Sequence, residues 1–335
     1  MPAPTNGSNP KPIQISVSVS GICNSRCLYC RASDPRVPMN PPMQLSDLKR
    51  ILSQAAELGT RIVTLTGGEP LLHPNIIEVV AHAAEVGLRP VLLTNGSLMT
   101  LDIARELHDA GVSALGWSLD SLDPDVYKRI RGIELAEIIE PFYELQTYRK
   151  DHDCIPYVVI SFVLSTLSAP GVLGLIEKLR PWLHRMDGIN IQPYQPPKDS
   201  QVEKDILRFK PEDEADLEVL IGKLLEAKRS GAPITTEEGF FKRMARYMAR
   251  SEMPTGYSCP AGYYGAYITE TMDMVPCWLL PPVGNLGQQS FEEIWFSQAY
   301  DDVRRRMVAL DCPGCCLSCH CLEHYENVSR VLAHV

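Results

Sequence analysis

Residues 13–30 read IQISVSVSGICNSRCLYC, a stretch that joins a strand-like pattern to a cysteine motif. Apolar and polar residues alternate over residues 13–20, which predicts a half-buried β-strand. Three cysteines follow this strand, at Cys23, Cys27 and Cys30. Loops at the carboxyl ends of parallel strands are where active sites usually lie. We therefore expect a parallel sheet that carries a three-cysteine site after its first strand.

Strand-like and helix-like segments alternate from residue 13 to about residue 194. Further strands are predicted at residues 61–66, 89–94, 112–119, 155–164 and 188–192. Helices are predicted between them at residues 45–58, 74–86, 101–110, 124–150 and 169–182, with Pro141 as a break in the fourth. Six β/α units are too few for a closed eight-stranded barrel, and right-handed crossovers wind such a chain into one sheet. The pattern predicts the α/β class with a partial (β/α)6 barrel.

Composition limits the classes of partner. The chain has 335 residues, of which 45% are hydrophobic, and its 32 basic and 41 acidic residues give a net charge of −9. That charge gives no general attraction to nucleic acids or anionic membranes. No apolar run approaches the roughly 18 residues of a membrane span. Residues 1–12 lack the apolar core of a signal peptide, so we expect a disordered tail and a cytoplasmic protein.

The eleven cysteines form two stations. Three lie at residues 23–30, Cys154 stands alone, and seven lie at residues 259–321. Disulfides are rare in a reducing compartment, where clustered cysteines are more often metal ligands. Three thiolates on one short loop suit a [4Fe–4S] cluster with one open iron. Structural zinc is the weaker alternative, because it needs a fourth ligand and the nearest histidine, His73, lies one β/α unit away.

A second motif, Thr66-Gly67-Gly68-Glu69-Pro70, follows the second predicted strand. Together with Cys23-x3-Cys27-x2-Cys30 it resembles the radical S-adenosylmethionine (SAM) superfamily over residues 13–194. The resemblance implies that the three cysteines hold the radical-generating [4Fe–4S] cluster, whose open iron binds SAM and cleaves it to a 5′-deoxyadenosyl radical. It also implies a set of SAM-binding residues, namely Tyr29, Gly67, Gly68, Glu69, Thr94, Ser118 and Asp120.

The second station resembles the SPASM/Twitch extension of radical SAM enzymes, which binds auxiliary [4Fe–4S] clusters. Two fully thiolate-ligated clusters need eight cysteines and seven are present, so we expect one cluster, on Cys259, Cys277, Cys312 and Cys315. The roles of Cys316, Cys319 and Cys321 are open. The alternatives are that they replace members of this set, with Cys321 as a further metal ligand, that they hold a second cluster with one open iron, or that Cys316 or Cys319 is a hydrogen-donating thiol. The alternative is a zinc knuckle that uses His320 or His324. Met272 stands where the family usually has glycine.

The predicted domains are residues 13–194 as the radical SAM core, 195–255 as a helical bridge, and 256–335 as the SPASM/Twitch-like unit. Helices are predicted in the bridge at residues 211–229 and 237–250. The last unit shows little regular pattern, so we expect it to be held by metal rather than by an apolar core.

The substrate is predicted to be a small polar metabolite, because no long precursor-binding segment precedes the first strand and the C-terminus lacks a Gly-Gly tail. Gln192, Tyr194 and the tyrosines of residues 263–267 are candidates for its pocket. We expect oxidation of the substrate with the auxiliary cluster as electron acceptor, and a reductant such as flavodoxin or ferredoxin. Alternatives are a redox-neutral epimerase, a peptide or natural-product maturase, and an iron–sulfur or zinc binding module without catalysis.

Overall fold

The structure, a computed structural model, describes residues 11–31, 34–184, 186–195, 205–252 and 258–316. The first ten residues of the predicted tail lie outside these ranges. So do Cys319, Cys321, His320 and His324, and their predicted roles stay predictions.

Strands and helices alternate from β1 to β6, over residues 14–193, as the sequence predicts. The elements are β1 (Gln14–Ser20), α1 (Leu45–Glu57), β2 (Ile62–Gly67), α2 (Ile76–Glu85), β3 (Arg89–Thr94), α3 (Leu101–Asp109), β4 (Ala114–Ser118), α4 (Pro124–Arg131), α5 (Ala136–Tyr148), β5 (Tyr157–Leu164), α6 (Val172–Leu179) and β6 (Gly188–Pro193). These six strands are parallel and lie in the order β6-β5-β4-β3-β2-β1. The partial (β/α)6 barrel is therefore confirmed.

The predicted helix at residues 124–150 is broken, but at a different place from the one expected. Pro141 lies inside α5, and the break falls at Gly132, which closes α4 with a left-handed φ of 73°. Its N–H donates to the Lys128 carbonyl at 2.8 Å. Glycine adopts this conformation without the steric penalty of a side chain, which makes it a strong helix terminator. The prediction of a break at Pro141 was wrong for this reason.

The two faces of β1 have different chemistry. Ile15, Val17 and Val19 are fully buried in the main hydrophobic core, which also contains the buried face of α1. Because side chains alternate along a strand, the intervening serines face the other side of the sheet. Burying each valine or isoleucine stabilises the fold by about 1.5–3 kcal/mol, which fixes the register of β1 and so the position of the cysteine loop that follows it.

The remaining elements follow in chain order. They are α7 (Glu214–Arg229), α8 (Glu238–Arg250), α9 (Ala261–Tyr264), β7 (Gly265–Ile268), β8 (Asp273–Val275), β9 (Gly284–Asn285), α10 (Phe291–Trp295) and α11 (Gln298–Val308). The two bridge helices match α7 and α8. No helix among the described residues is long and apolar enough to cross a bilayer.

The described part of the last unit has an apolar core, contrary to the expectation from its sequence. Strand β7 pairs in parallel with β1 and extends the barrel sheet, and β8 and β9 continue it in antiparallel order. Ile268, Met274, Phe291 and Trp295 are buried in the same hydrophobic core as the barrel. The prediction failed because the strands are only two to four residues long, too short for a clear sequence period.

Met272 lies in the turn between β7 and β8 with a left-handed φ of 65°. Its N–H donates to the Thr269 carbonyl at 2.9 Å, which closes the turn. This backbone conformation explains why glycine suits the position better than most residues do.

Candidate functional site

The cysteine loop, residues 23–30, lies against the carboxyl end of α4. The N–H groups of Arg26 and Leu28 donate to the carbonyls of Arg131 and Ile130 at 3.1 and 2.8 Å. The Ser25 hydroxyl also donates to the Arg131 carbonyl, at 2.6 Å. The last carbonyls of a helix have no partner within the helix. Here the loop supplies their donors, so the end of α4 sets the path of the loop.

The three thiols of this loop are close enough to influence one another. The pKa of Cys23 is raised to about 11, mainly by burial and in smaller part by the charges of Cys27 and Cys30, while the Ser25 N–H that donates to Cys23 Sγ at 3.4 Å opposes the rise. Cys27 Sγ lies 3.2 Å from Ser25 Oγ and 3.8 Å from Arg131 Nη1. The Ser25 N–H beside Cys23 and the Arg131 guanidinium beside Cys27 are donors that favour thiolates, so the surroundings fit a thiolate-ligated cluster.

No group of three or more cysteine, histidine or carboxylate side chains within the described ranges is arranged as a ligand set for a metal ion. The fit of the cysteine loop to a cluster therefore rests on its position, on the proximity of its thiols and on the donors around them.

The Gly67–Gly68 pair packs directly on residues 20–22, which lead from β1 into the cysteine loop. The N–H of Gly68 donates to the Ser20 carbonyl at 2.7 Å, and the N–H of Glu69 donates to the Ile22 carbonyl at 2.8 Å. A Cβ on Gly68 would lie only 1.9 Å from the Ile22 oxygen, and Gly67 has a φ of 126°. Neither position accepts a side chain, so the end of β2 and the segment that leads into the cysteine loop form one backbone surface.

Glu69 joins the ends of β2 and β3. Its buried carboxylate accepts hydrogen bonds from Thr94 Oγ1 at 2.7 Å, the Asn95 N–H at 2.7 Å and the Leu71 N–H at 3.1 Å. Burial raises the pKa of Glu69, and these three donors oppose the rise. The structure thus brings together the predicted SAM-binding residues Glu69 and Thr94, whose side chains bind each other. Their contact with SAM stays a prediction.

Tyr29 and Asp120 form a buried network with Arg131, a residue that the sequence analysis missed. Asp120 Oδ2 accepts from the Tyr29 hydroxyl at 2.8 Å and from Arg131 Nε at 2.6 Å, and Asp120 Oδ1 accepts from the Val163 N–H at 2.8 Å. The Arg131 guanidinium also lies 5.1 Å from the centre of the Tyr29 ring. Asp120 is fully buried, so its carboxylate positions Tyr29 and Arg131 beside Cys27.

Ser118, another predicted SAM-binding residue, ends β4, and its carbonyl accepts from the Tyr127 hydroxyl at 3.3 Å. Its contact with SAM is untested. In the sequence Arg131 looks like one more basic residue at a helix end, so nothing singled it out.

Three of the four predicted auxiliary ligands gather in a second, smaller apolar cluster. Cys259 lies there with Cys277 and Cys312 beside Leu280 and Met307. Burial raises the pKa of Cys259 to about 12, and the neighbouring Cys277 and Cys312 contribute to the rise. The proximity of these thiols in an apolar pocket suits a cluster site.

Cys315 and Cys316 are buried beside the phenol of Tyr247 in α8. The Tyr247 hydroxyl donates to Gln195 Oε1 at 2.6 Å, and the pKa of Tyr247 is raised, mainly by burial and further by the two thiols. Cys316 is part of the main hydrophobic core. The roles of Cys315 as a ligand and of Cys316 as a hydrogen donor stay predictions.

A cavity of about 850 Å³ opens between the cysteine loop and the turn that joins β7 to β8. On the barrel side it is lined by Tyr29, Cys30 and the Gly67–Gly68 pair, and on the other side by Tyr267 and Glu270. Of the aromatic and polar residues predicted to line a substrate pocket, Tyr267 does so. Gln192, Tyr194, Tyr263 and Tyr264 are not among the lining residues. Tyr264 is instead buried.

The sequence analysis also missed the residues that hold Glu270. Its Oε2 accepts from Ser18 Oγ at 3.0 Å and its Oε1 accepts from Asn40 Nδ2 at 2.9 Å. These partners come from distant parts of the chain. The only sequence hint was the alternation of serine with isoleucine and valine in β1, which places Ser18 on the face away from the apolar core.

Two segments of this chain match known sequence families. The pattern of the radical SAM superfamily matches residues 17–161, and that of the SPASM iron–sulfur cluster-binding domain matches residues 259–320. A GTP 3′,8-cyclase of Pseudomonas putida (strain GB-1) is 37% identical over 137 residues, which are 40% of this chain and 41% of the cyclase. A probable GTP 3′,8-cyclase of Thermococcus kodakarensis is 33% identical over 135 residues, 40% of this chain and 44% of that protein. The match thus spans about two fifths of these relatives.

Solved structures resemble the chain over most of its length. SuiB of Streptococcus suis bound to S-adenosylmethionine has a TM-score of 0.69 at 18% identity, over 91% of this chain and 73% of SuiB. Native anSMEcpe with bound AdoMet has a TM-score of 0.66 at 15% identity, over 89% of this chain and 83% of that one. At these identities the likeness concerns the fold alone. From the two matched sequence patterns, the chain belongs to the radical SAM superfamily and carries a SPASM domain that binds auxiliary iron–sulfur clusters.

Proposed function

We propose that this radical SAM enzyme abstracts a hydrogen atom from a carbon of a small polar molecule and oxidises that molecule by two electrons. The observation that supports this most is the cavity of about 850 Å³ whose wall combines the cysteine loop and Gly67–Gly68 with the polar side chains of Ser18, Tyr267 and Glu270. The groups proposed to hold the cluster and SAM (the cofactor side) and the polar groups opposite them (the substrate side) therefore line one cavity. Because this cavity must also hold SAM, the remaining space suits a small substrate.

Each part of the cofactor side has a structural role in this proposal. Cys23, Cys27 and Cys30 hold a [4Fe–4S] cluster, which together with SAM and one electron supplies a 5′-deoxyadenosyl radical. The Gly67–Gly68 backbone lets the methionine end of SAM approach closely, and Glu69 with Thr94 keeps that backbone in place. Tyr29, held by Asp120 and Arg131, provides an aromatic surface for SAM within the cysteine loop. Ser118, two residues before Asp120 in the sequence, is proposed as a further SAM-binding residue.

The proposed reaction balances in atoms and electrons. The radical takes hydrogen from the carbon of a secondary alcohol and becomes 5′-deoxyadenosine. Loss of the hydroxyl proton to solvent and of one electron would leave a ketone, and a cluster held by Cys259, Cys277, Cys312 and Cys315 would supply the acceptor for that electron. One SAM is consumed in each turnover and no methyl group is transferred. A flavodoxin or ferredoxin supplies the electron that starts the reaction.

The auxiliary cluster is assigned to Cys259, Cys277, Cys312 and Cys315. The apolar surroundings of the first three thiols would limit solvent access, and exposure to solvent is one of the properties that set the potential of an iron–sulfur cluster. A hydrogen-donating thiol would instead favour a redox-neutral epimerisation. Among the described residues Cys316 does not line the cavity, which speaks against Cys316 as that donor, whereas Cys319 lies outside the described residues.

A second candidate is a rearrangement of GTP. It is favoured by the identity of 33–38% that about 40% of this chain shares with GTP 3′,8-cyclases. The cavity speaks against a nucleoside triphosphate, because its described wall carries two carboxylates, Glu270 and Asp273, against the one guanidinium of Arg31, and like charges repel. The two candidates are separated by supplying GTP with SAM and reductant under anaerobic conditions. Production of a cyclised nucleotide would replace the oxidation with the rearrangement.

Turnover in deuterated water tests the oxidation. We expect a product that is two mass units lighter than the substrate, with the abstracted hydrogen in 5′-deoxyadenosine and no solvent deuterium at the attacked carbon. A product one mass unit heavier than the substrate, with solvent deuterium in place of hydrogen at the attacked carbon, would contradict the oxidation and support epimerisation by a thiol.

A further inference from the structure

The substrate side of the cavity is formed by two strands whose side chains are in register. Strand β7 pairs in parallel with β1, with Tyr267 opposite Ser16. Paired residues in a sheet project from the same face, so Tyr267 shares the serine face of β1. Burial raises the pKa of Tyr267 to about 12, so its hydroxyl remains protonated near neutral pH. This face offers neutral hydroxyl groups next to the cofactor side.

Glu270 adds one carboxylate to this face. Ser18 and Asn40 each donate one hydrogen bond to it, at 3.0 and 2.9 Å. A carboxylate has about four acceptor sites, so these two donors fix its orientation and leave room for further donors. Both donors are uncharged, and therefore the negative charge of Glu270 is held in place without being neutralised by them.

No basic side chain in the described part of the chain forms an ion pair with Glu270. Arg31 lines the same cavity, and its charge acts to lower the pKa of Tyr267, but it is not among the described ion pairs of Glu270. Glu270 is half-buried, and ligand binding would remove water from its carboxylate. A cationic ligand compensates for that lost water with a charge-assisted hydrogen bond, so it is expected to bind this carboxylate more tightly than a neutral ligand does.

We infer that Glu270 binds a protonated amine of the substrate, and that the substrate belongs to the small hydroxylated amines. This inference rests on the proposed function, because it assigns the substrate to the cavity beside the cysteine loop. Glu270 holds the ammonium group, and the hydroxyl groups of Tyr267 and Ser18 face the hydroxylated part of the molecule. Fixing one end of the substrate in this way determines which carbon is presented to the cofactor side.

Binding is tested on the cluster-loaded protein with SAM, under anaerobic conditions and without reductant. The protein is dialysed against an equimolar mixture of glucosamine, mannosamine and ethanolamine with their N-acetyl forms, and retained compounds are measured by mass spectrometry. We expect at least one free amine to be retained about tenfold or more over its N-acetyl form, the ratio produced by 1.4 kcal/mol. Retention of none of the amines, or equal retention of the acetylated forms, would overturn the inference.

Glu270→Gln isolates the charge. Glutamine has nearly the same size, its carbonyl can accept from Asn40, and its amide can donate to the Ser18 hydroxyl. We expect this variant to lose the preference for free amines. The matched control is Glu218→Gln, an exposed glutamate on α7, which should bind the amines as the unchanged protein does. Equal amine retention by the Glu270→Gln variant would also overturn the inference.

The iron content of Glu270→Gln is measured to establish that the variant is folded. Should it lose iron, Glu270→Asp is used, because it keeps the charge but withdraws it by one methylene. We then expect a several-fold loss of amine retention, and undiminished retention would contradict the inference.

Failure of this inference is distinguishable from failure of the proposed function, because binding requires no SAM cleavage. Cleavage with no amine retention removes only the role of Glu270. Amine retention by a protein that does not cleave SAM contradicts the proposed function.

Discussion

Two buried carboxylates, those of Glu69 and Asp120, hold the loops of the candidate site in place through hydrogen bonds. Glu69 accepts three hydrogen bonds that join the ends of β2 and β3, and Asp120 does the same for the cysteine loop, α4 and β5. Both were predicted as SAM-binding residues from the family motif. Their hydrogen bonds show that Glu69 and Asp120 connect separate segments of the chain at this site, which the sequence alone does not reveal.

At this scale we predict that Glu69→Gln destabilises the fold by about 1–3 kcal/mol, the cost of leaving buried donors without an acceptor. A glutamine amide nitrogen cannot accept, so either the Asn95 N–H or the pair formed by Leu71 N–H and Thr94 Oγ1 loses its partner. Urea unfolding of the two proteins measures the difference. The control is Glu106→Gln, an exposed glutamate on α3, for which we expect a change within about 0.5 kcal/mol. Equal stability of the two variants would contradict this role of Glu69.

The site residues that belong to a local motif could be predicted from the sequence, whereas the distant residues that contact the site could not. Cys23, Cys27, Cys30 and Gly67–Gly68 stand in fixed local spacings. Arg131 reaches Cys27 across 104 residues, and Glu270 reaches Ser18 across 252. Such contacts depend on the order of strands in the sheet, which no local pattern specifies.

Among the elements, α4 has the most direct influence on the candidate site, because its last carbonyls bind the cysteine loop. Its end is set by Gly132, where an added Cβ would lie 2.9 Å from Arg26 Cβ and the backbone is left-handed. The sequence predicted the helix but placed its break at Pro141. A proline inside a helix is an uncertain terminator, whereas a glycine that adopts a left-handed conformation ends the helix.

We predict that Gly132→Ala destabilises the protein by about 1–2 kcal/mol through the left-handed backbone alone, and lowers its iron content because the cysteine loop is displaced. Gly174→Ala is the matched control. That glycine lies inside α6 with no atom within 4 Å of an added Cβ, so alanine should stabilise by roughly 0.5–1 kcal/mol. Thermal unfolding and iron analysis of both variants check the prediction. An unchanged iron content in Gly132→Ala would show that α4 does not position the loop.

At the scale of the whole molecule, the SPASM region and the barrel share one sheet and one hydrophobic core over the described residues. The alternation of strands and helices up to residue 194 made the barrel predictable. The shared core was not predictable, because β7 and β8 are short and their burial comes from pairing with β1 and with each other. The cavity follows from this arrangement, since β7 ends beside the cysteine loop.

The two cysteine stations should nevertheless bind iron independently. A variant in which Cys23, Cys27 and Cys30 are all alanine should keep about four irons, the content of one [4Fe–4S] cluster, in the station of Cys259, Cys277 and Cys312. Iron and zinc analysis after anaerobic reconstitution checks this number. About eight retained irons would indicate two auxiliary clusters, and zinc in place of iron would support the zinc knuckle.

Cleavage of SAM tests the central claim most directly. The cluster-loaded protein is incubated anaerobically with SAM and a strong reductant, and 5′-deoxyadenosine and methionine are measured by chromatography and mass spectrometry. We predict that the unchanged protein and the Cys154→Ala control form both products, and that the variant lacking Cys23, Cys27 and Cys30 forms neither. Equal formation of 5′-deoxyadenosine by that variant would contradict the assignment of the radical-generating site to this loop.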